Sequence, residues 1–117
     1  MPVGTSARTQ LLAFLDERVF EPVANADPNI YANAENRKLL KSVRKRVRET
    51  KARYIAEYPD AAAVRRNFTQ DLNSKPGQAL AVDIWMLNQD TGAGVNQLER
   101  FEDIQPAFIA LCSRLGA

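Results

Sequence analysis

Residues 37–58 contain the feature that most constrains the fold, because apolar side chains recur every three or four positions in a segment crowded with positive charge. Nine of the sixteen Lys and Arg residues lie between residues 37 and 53, where Glu49 is the only acidic residue. At about 100° per residue, one face of a helix collects Leu39, Leu40, Val43, Val47, Thr50, Tyr54 and Tyr58. The spacing therefore predicts one long helix with an inward apolar face and an outward basic face.

Composition is typical of an ordinary globular chain. The 117 residues are 45% hydrophobic and 26% charged, which is enough for one domain with a real core. No apolar run approaches the roughly 20 residues of a membrane span. We expect a single helical domain over residues 1–117, with about the first five residues disordered. Because the stretch MPVGTSARTQ lacks the apolar segment of a secretion signal, we also expect a cytoplasmic protein without membrane contact.

Cap and breaker residues divide the first half of the chain into helices. Thr5 or Ser6 can cap a first helix with its hydroxyl, and Pro22 is expected to end that helix because proline lacks an N–H. Asn33 or a neighbour can cap the long helix, and Pro59 stops it. The long basic helix is therefore predicted to be the second of the fold.

An apolar segment at residues 78–88 follows the third helix. Asp60 is expected to cap that third helix, and residues 73–77 are expected to break it, with Ser74 as the next cap. The segment is apolar on nearly every side except at Asp83, as in helices that are central to a fold or part of an interface. We expect this fourth helix to form the spine of the fold together with the long second helix.

The last helix is expected to begin near Phe101, to tolerate Pro106 in its first turn and to end at Gly116. Cys112 lies on the apolar face of this helix and is predicted to be a small buried side chain rather than a reactive thiol. The sequence therefore predicts an all-α, single compact domain of about five helices.

The absence of histidine is the strongest constraint on chemistry. It removes the most common general base, the Ser-His-Asp and Cys-His arrangements and all His-containing zinc sites. The carboxylates of Glu99, Glu102 and Asp103 lie close in sequence, but such a group near a helix start more often complements the helix dipole than binds a cation. We therefore expect no enzyme, no catalytic residue, no cofactor and no metal site.

The tetrapeptide Asp90-Thr91-Gly92-Ala93 matches the short signature of aspartic proteases. That chemistry needs the motif on a tight loop between β-strands, whereas the neighbouring segments here are a helix-like apolar block and a polar loop. We interpret the match as a turn. A helix-turn-helix module is also rejected, because the stretch QALAVDIWML, which would be the recognition helix, contains no Lys or Arg.

The outward face of the long helix is the candidate binding site. Its residues are Arg37, Lys41, Arg44, Lys45, Arg48 and Lys51, with the apolar Ile55 at the end of the row. The leading hypothesis is an intracellular, non-enzymatic binding or regulatory protein whose helix over residues 37–58 contacts an anionic partner, either nucleic acid or an acidic protein, with nucleic acid favoured.

Alternatives to this hypothesis stay open from the sequence, of which a small enzyme ranks last. Outside residues 37–53 the chain has seven basic and thirteen acidic residues, so the basic face can simply be solvated and neutralised by neighbouring helices. Another alternative is a protein–protein interaction or structural module that forms a homodimer through the apolar segment 79–87.

Overall fold

The computed structural model describes residues 6–92, 94 and 96–117. Its α-helices are α1 (Ala7–Leu15), α2 (Glu21–Ala24), α3 (Ala34–Glu57), α4 (Ala61–Asn73), α5 (Lys75–Thr91) and α6 (Phe101–Leu115). A π-helical turn, Asp16–Phe20, joins α1 to α2, and a 3₁₀ turn, Pro28–Ile30, precedes α3. The described residues contain no strand, and the predicted all-α fold of about five helices is confirmed, with α1 and α2 continuous. The prediction of disorder for the first five residues falls outside the described part.

Most of the predicted caps are confirmed. Each N-cap side chain accepts a hydrogen bond from an N–H in the first turn of its helix: Ser6 from Thr9 at 3.1 Å, Asn33 from Glu35 at 2.8 Å, Asp60 from Ala63 at 2.8 Å and Ser74 from Gly77 at 3.0 Å. Gly116 ends α6 in the left-handed region, with φ of 71°. Local cap chemistry therefore defines the helix ends as the sequence indicated.

Two prolines lie further inside helical segments than predicted. The first helix continues past Pro22 to Ala24, because the preceding π-helical turn is wider: the Glu21 N–H bonds to the Asp16 carbonyl, and this leaves room for the ring. Pro106 lies in the second turn of α6 rather than in the first. The carbonyl that Pro106 leaves without a helical donor belongs to the exposed Glu102, where water can replace the bond.

The connection between α4 and α5 is shorter than predicted. Only Ser74 separates the two helices, so residues 73–77 are not a loop; α5 begins at Lys75 and runs to Thr91 instead of spanning residues 78–88. Pro76 lies in the first turn of α5, where proline is suited because it has no N–H that needs a partner. A Cβ added to Gly77 would lie 1.7 Å from the carbonyl oxygen of Asp71. The corner is therefore tight enough to require glycine.

The core is built around aromatic rings. Phe68 is fully buried between Phe101 and Phe108, with ring centroids at 4.6 and 4.1 Å. Phe20 makes an edge-to-face contact with Tyr54 at 6.1 Å, which connects these rings to α3. Five of the seven residues on the predicted inward face of α3 and its C-cap are buried, namely Leu40, Val43, Val47, Tyr54 and Tyr58, whereas Leu39 and Thr50 are partly buried.

Burial of Cys112 is also confirmed, since its side chain is fully enclosed and this burial raises the pKa of its thiol. The residue therefore acts as a small hydrophobic side chain of the core.

Helix α5 is buried on one face only. Ile84 and Leu87 pack into the core, whereas Val82, Trp85 and Met86 are 56%, 50% and 45% exposed. The expectation that this helix forms the spine of the fold is therefore wrong for its outer side. That side of α5 lies at the surface of the bundle. Among the described residues, no helix is both long and apolar enough to cross a membrane.

Candidate functional site

The C-terminal end of α3 is fixed by a side chain from α1. The guanidinium of Arg8 donates hydrogen bonds to the backbone carbonyls of Ile55 at 2.7 Å and Tyr58 at 2.6 Å. These carbonyls belong to the last turn and its cap, where a helix has no internal donors left. A cation at this position also interacts favourably with the negative end of the helix dipole.

The N-terminal end of α3 is fixed by Asp90, from the last turn of α5. Its carboxylate accepts hydrogen bonds from the Asn33 N–H at 3.2 Å and the Asn36 side-chain amide at 3.1 Å. The bonds from Asn36 and Asn33 lower the pKa of the Asp90 carboxyl. The protease-like tetrapeptide therefore lies at a helix end, where Gly92 caps α5 with φ of 79°; Ala93 falls outside the described residues.

Five of the nine cations in residues 37–53 are held by internal contacts. Arg37 donates to the Tyr31 carbonyl at 2.6 Å, Arg44 to the Val23 carbonyl at 3.3 Å, Arg46 to Asp83 at 2.6 Å, and Arg53 to Asp71 at 3.2 Å, while Lys51 lies 2.6 Å from Asp16. The acidic partners come from the helical segments packed around α3. These five cations therefore attach α3 to the rest of the bundle. The alternative that neighbouring helices neutralise the basic face applies to these five residues.

The other four cations point away from the bundle. Lys38, Lys41, Lys45 and Arg48 are exposed and make no hydrogen bond or ion pair with any residue that the structure describes. Their spacing of three, four and three residues places them along one outer side of α3 over about 15 Å. We call these four residues the basic row.

The basic row overlaps only partly with the predicted site. Lys41, Lys45 and Arg48 belong to both, whereas Arg37, Arg44 and Lys51 lie on the flank that faces the N-terminal helices. Lys38 was missed because the outward direction was centred on Arg37 instead of opposite the buried Val43, Val47 and Tyr54. If the outward direction had been taken as the one opposite the buried residues of α3, Lys38 would have been included in the predicted site.

Ile55 lies in line with Arg37 and two helical turns beyond Arg48, past the end of the basic row. Its side chain is 54% exposed, so it is not covered by a neighbouring loop. Its backbone carbonyl is one of those bound by Arg8.

The carboxylates of Glu99 and Asp103, which are close in sequence, pair with different arginines. Glu99 forms two hydrogen bonds with Arg18, both at 2.7 Å, and Asp103 binds Arg100 at 2.9 and 3.0 Å. Asp103 also accepts the Arg100 N–H at the start of α6, as expected for acidic residues near a helix N-terminus. Within the described ranges, no group of three or more acidic or thiol side chains comes together to hold a metal ion.

Comparisons with known proteins do not assign this chain to a group. No family model matches it, and neither a curated protein nor a solved structure gives a significant match.

Proposed function

We propose that this chain is a cytoplasmic, non-enzymatic binding or regulatory protein that contacts an anionic partner, nucleic acid in the first place, through the basic row. The observation that carries the proposal is that Lys38, Lys41, Lys45 and Arg48 are exposed without partners among the residues that the structure describes, while the other five cations of the same segment are used in the fold. Cations without protein partners keep their full charge available for a ligand.

The dimensions of the basic row suit a phosphate backbone. Duplex DNA carries one negative charge per about 1.7 Å of its axis, so a row about 15 Å long can place each of its cations near a phosphate. Phosphate contacts position a protein on nucleic acid but do not read its sequence. Binding is therefore expected to depend strongly on salt and little on sequence.

Removing three charges from the basic row should weaken this binding selectively. We expect the triple change Lys41→Ala, Lys45→Ala and Arg48→Ala to reduce the slope of log affinity against log salt by about 3 for a mixed-sequence duplex, because each lost phosphate contact removes roughly one unit. Fluorescence polarisation of a labelled duplex over a salt series measures the slope.

The matched control removes the same charge elsewhere. Arg66, Lys75 and Arg114 are exposed on other helices, so their triple change to alanine should leave the slope nearly intact. Equal losses in both triple variants would indicate a general effect of net charge and would contradict the proposal. Polyglutamate that competes as well as the duplex would instead favour an acidic protein as the partner.

Self-association through α5 is the second candidate function. Val82, Trp85 and Met86 form an exposed apolar stripe with uncharged Gln78 and Gln89 beside it, and the oppositely charged Arg100 and Glu102 lie next to Val82 and Trp85. A two-fold interface places the same patch on both subunits, so an uncharged stripe can face its own copy without like-charge repulsion.

Sedimentation tests this second candidate. We expect a dimer at high protein concentration that Trp85→Glu converts to monomer, because the change would bury two like charges at the two-fold axis. Ala110→Glu, at an exposed position of α6, should leave the dimer unchanged. A wild-type protein that stays monomeric at high concentration would remove this candidate.

A further inference from the structure

A groove of about 880 Å³ opens between the C-terminal half of α3 and the N-terminal half of α5. The two helices run antiparallel and are held together at the other end of the groove, where Arg46 meets Asp83 at 2.6 Å. At the open end, α3 is linked to α4 through Arg53 and Asp71, at 3.2 Å. The groove is therefore closed at the end where Arg46 meets Asp83 and open at the end where Arg53 meets Asp71.

Apolar side chains form the floor of this groove. Phe20, Val47 and Ile84, which belong to the hydrophobic core, line it together with the partly buried Phe101. Along α3 the lining extends from residue 46 to residue 57, a length of about 17 Å. The α3 wall also carries charged and polar side chains, so the apolar part of the groove is its floor. A concave apolar floor that is open to solvent has the form that accepts the apolar face of a helix.

The apolar surface also continues past the groove. A second cavity of about 470 Å³ shares Leu72, Ala81 and Arg100 with the groove and extends to Val82 and Trp85 on α5. The combined surface therefore extends from α3 across to the outer side of α5.

The arginines of the groove are neutralised within the protein. Arg46 pairs with Asp83 at 2.6 Å, Arg53 with Asp71 at 3.2 Å and Arg100 with Asp103 at 2.9 Å. Pairing with a nearby carboxylate cancels most of the field that each guanidinium would present to a ligand.

The carboxylates at the rim are not neutralised in the same way. Glu49 and Glu57 are exposed and form no ion pair with the part of the chain that the structure describes. Glu102 has only a 3.7 Å contact with Arg100, which Asp103 already holds more closely. The rim therefore carries three carboxylates that no close ion pair neutralises within the described residues, with Glu49 one helical turn from both Lys45 and Arg53.

We propose that this groove binds an amphipathic helix of a partner protein whose apolar face is flanked by Lys or Arg. The charge of the rim selects for cationic flanks, and the apolar floor of the groove selects for an apolar face. A second copy of this chain fits less well, because the basic row contains no apolar residue and the stripe of Val82, Trp85 and Met86 adjoins the groove itself, beside Arg100 and Glu102. The partner is therefore a different protein.

Synthetic peptides test the apolar part of the proposal. The probe is a fluorescein-labelled peptide of about 18 residues, or five helical turns, with Leu at every third or fourth position and Lys on both flanks. We expect saturable binding to the full chain by fluorescence polarisation. Ala56→Arg, on the exposed wall of the groove, should weaken binding at least tenfold by filling the groove and repelling the flanks. Ala110→Arg, an equal change at an exposed position on α6, should not.

Charge variants test the rim. Changing Glu49, Glu57 and Glu102 together to Gln should weaken the Lys-flanked peptide about tenfold at low salt. The matched control changes three exposed glutamates outside the groove to Gln, namely Glu17, Glu21 and Glu35, and should have little effect. A peptide with Glu in place of Lys should bind more weakly to the wild type.

Several outcomes would overturn this inference. They are the absence of binding up to about 1 mM peptide, equal binding of the Lys and Glu peptides, and binding that Ala56→Arg leaves unchanged. A wild-type dimer that Ala56→Arg dissociates would show that a second copy occupies the groove. Because the groove is distinct from the basic row, the triple variant at Lys41, Lys45 and Arg48 should still bind the peptide, so the two proposals can fail separately.

Discussion

Phe68→Ala is expected to lower the free energy of unfolding by about 3–5 kcal/mol. The side chain is fully buried and stacks between Phe101 and Phe108 at centroid distances of 4.6 and 4.1 Å. Its removal leaves a cavity between α4 and α6 that two flat rings cannot easily fill. Since domains of this kind have roughly 5–15 kcal/mol of stability in total, urea unfolding followed by circular dichroism should show a large shift of the midpoint.

A second substitution separates stacking from simple loss of volume. Phe68→Leu retains most of the apolar volume and should therefore lose clearly less stability than Phe68→Ala. Phe14→Ala is a useful comparison, because Phe14 is only partly buried and contacts Phe108 at a longer distance of 6.2 Å. A loss below about 1 kcal/mol for Phe68→Ala would contradict the central place of this ring in the core.

Gly77→Ala is the other change with a large expected effect. In an open helix this substitution stabilises by roughly 1 kcal/mol, because alanine is the better helix former. Here the added Cβ would lie 1.7 Å from the Asp71 carbonyl oxygen, which is backbone and cannot rotate away. We expect a loss of about 3 kcal/mol or more, measured by thermal and urea unfolding, because α4 and α5 must move apart.

The sign of the change in stability on Gly77→Ala tests how tight the α4–α5 corner is. A tight corner predicts a loss, whereas helix propensity alone predicts a gain. Ala79→Gly, two residues further along the exposed side of α5, measures the helix-propensity contribution alone and should cost about 1 kcal/mol. If Gly77→Ala is as stable as the wild type or more stable, the α4–α5 corner is wider than the structure has it.

The features that the sequence predicted well depend on local physics. The inward face of α3 follows from a 3.6-residue period, and Ser6, Asn33, Asp60 and Ser74 were recognisable as caps because they bond within their own first turn. Such features need no knowledge of where the rest of the chain lies.

The features that it missed depend on neighbours distant in sequence. Proline rules placed a helix end at Pro22, but the wider π-helical turn that accommodates it has no sequence pattern as plain as a cap. Nothing in the composition of α5 indicates which of its apolar sides remains exposed. The internal roles of Arg44 and Lys51 depend on Val23 and Asp16, which only the folded chain brings near them.

The two contacts at the ends of α3, from Arg8 and Asp90, have a thermodynamic consequence for recognition. Because each end is bonded to another part of the chain, the backbone of the basic row is ordered before any partner arrives. The association proposed above would then cost little backbone entropy, and the loss would be confined largely to the rotamers of four long side chains. In that respect α3 differs from basic segments that fold only when they bind, which lose affinity to the ordering of their own chain.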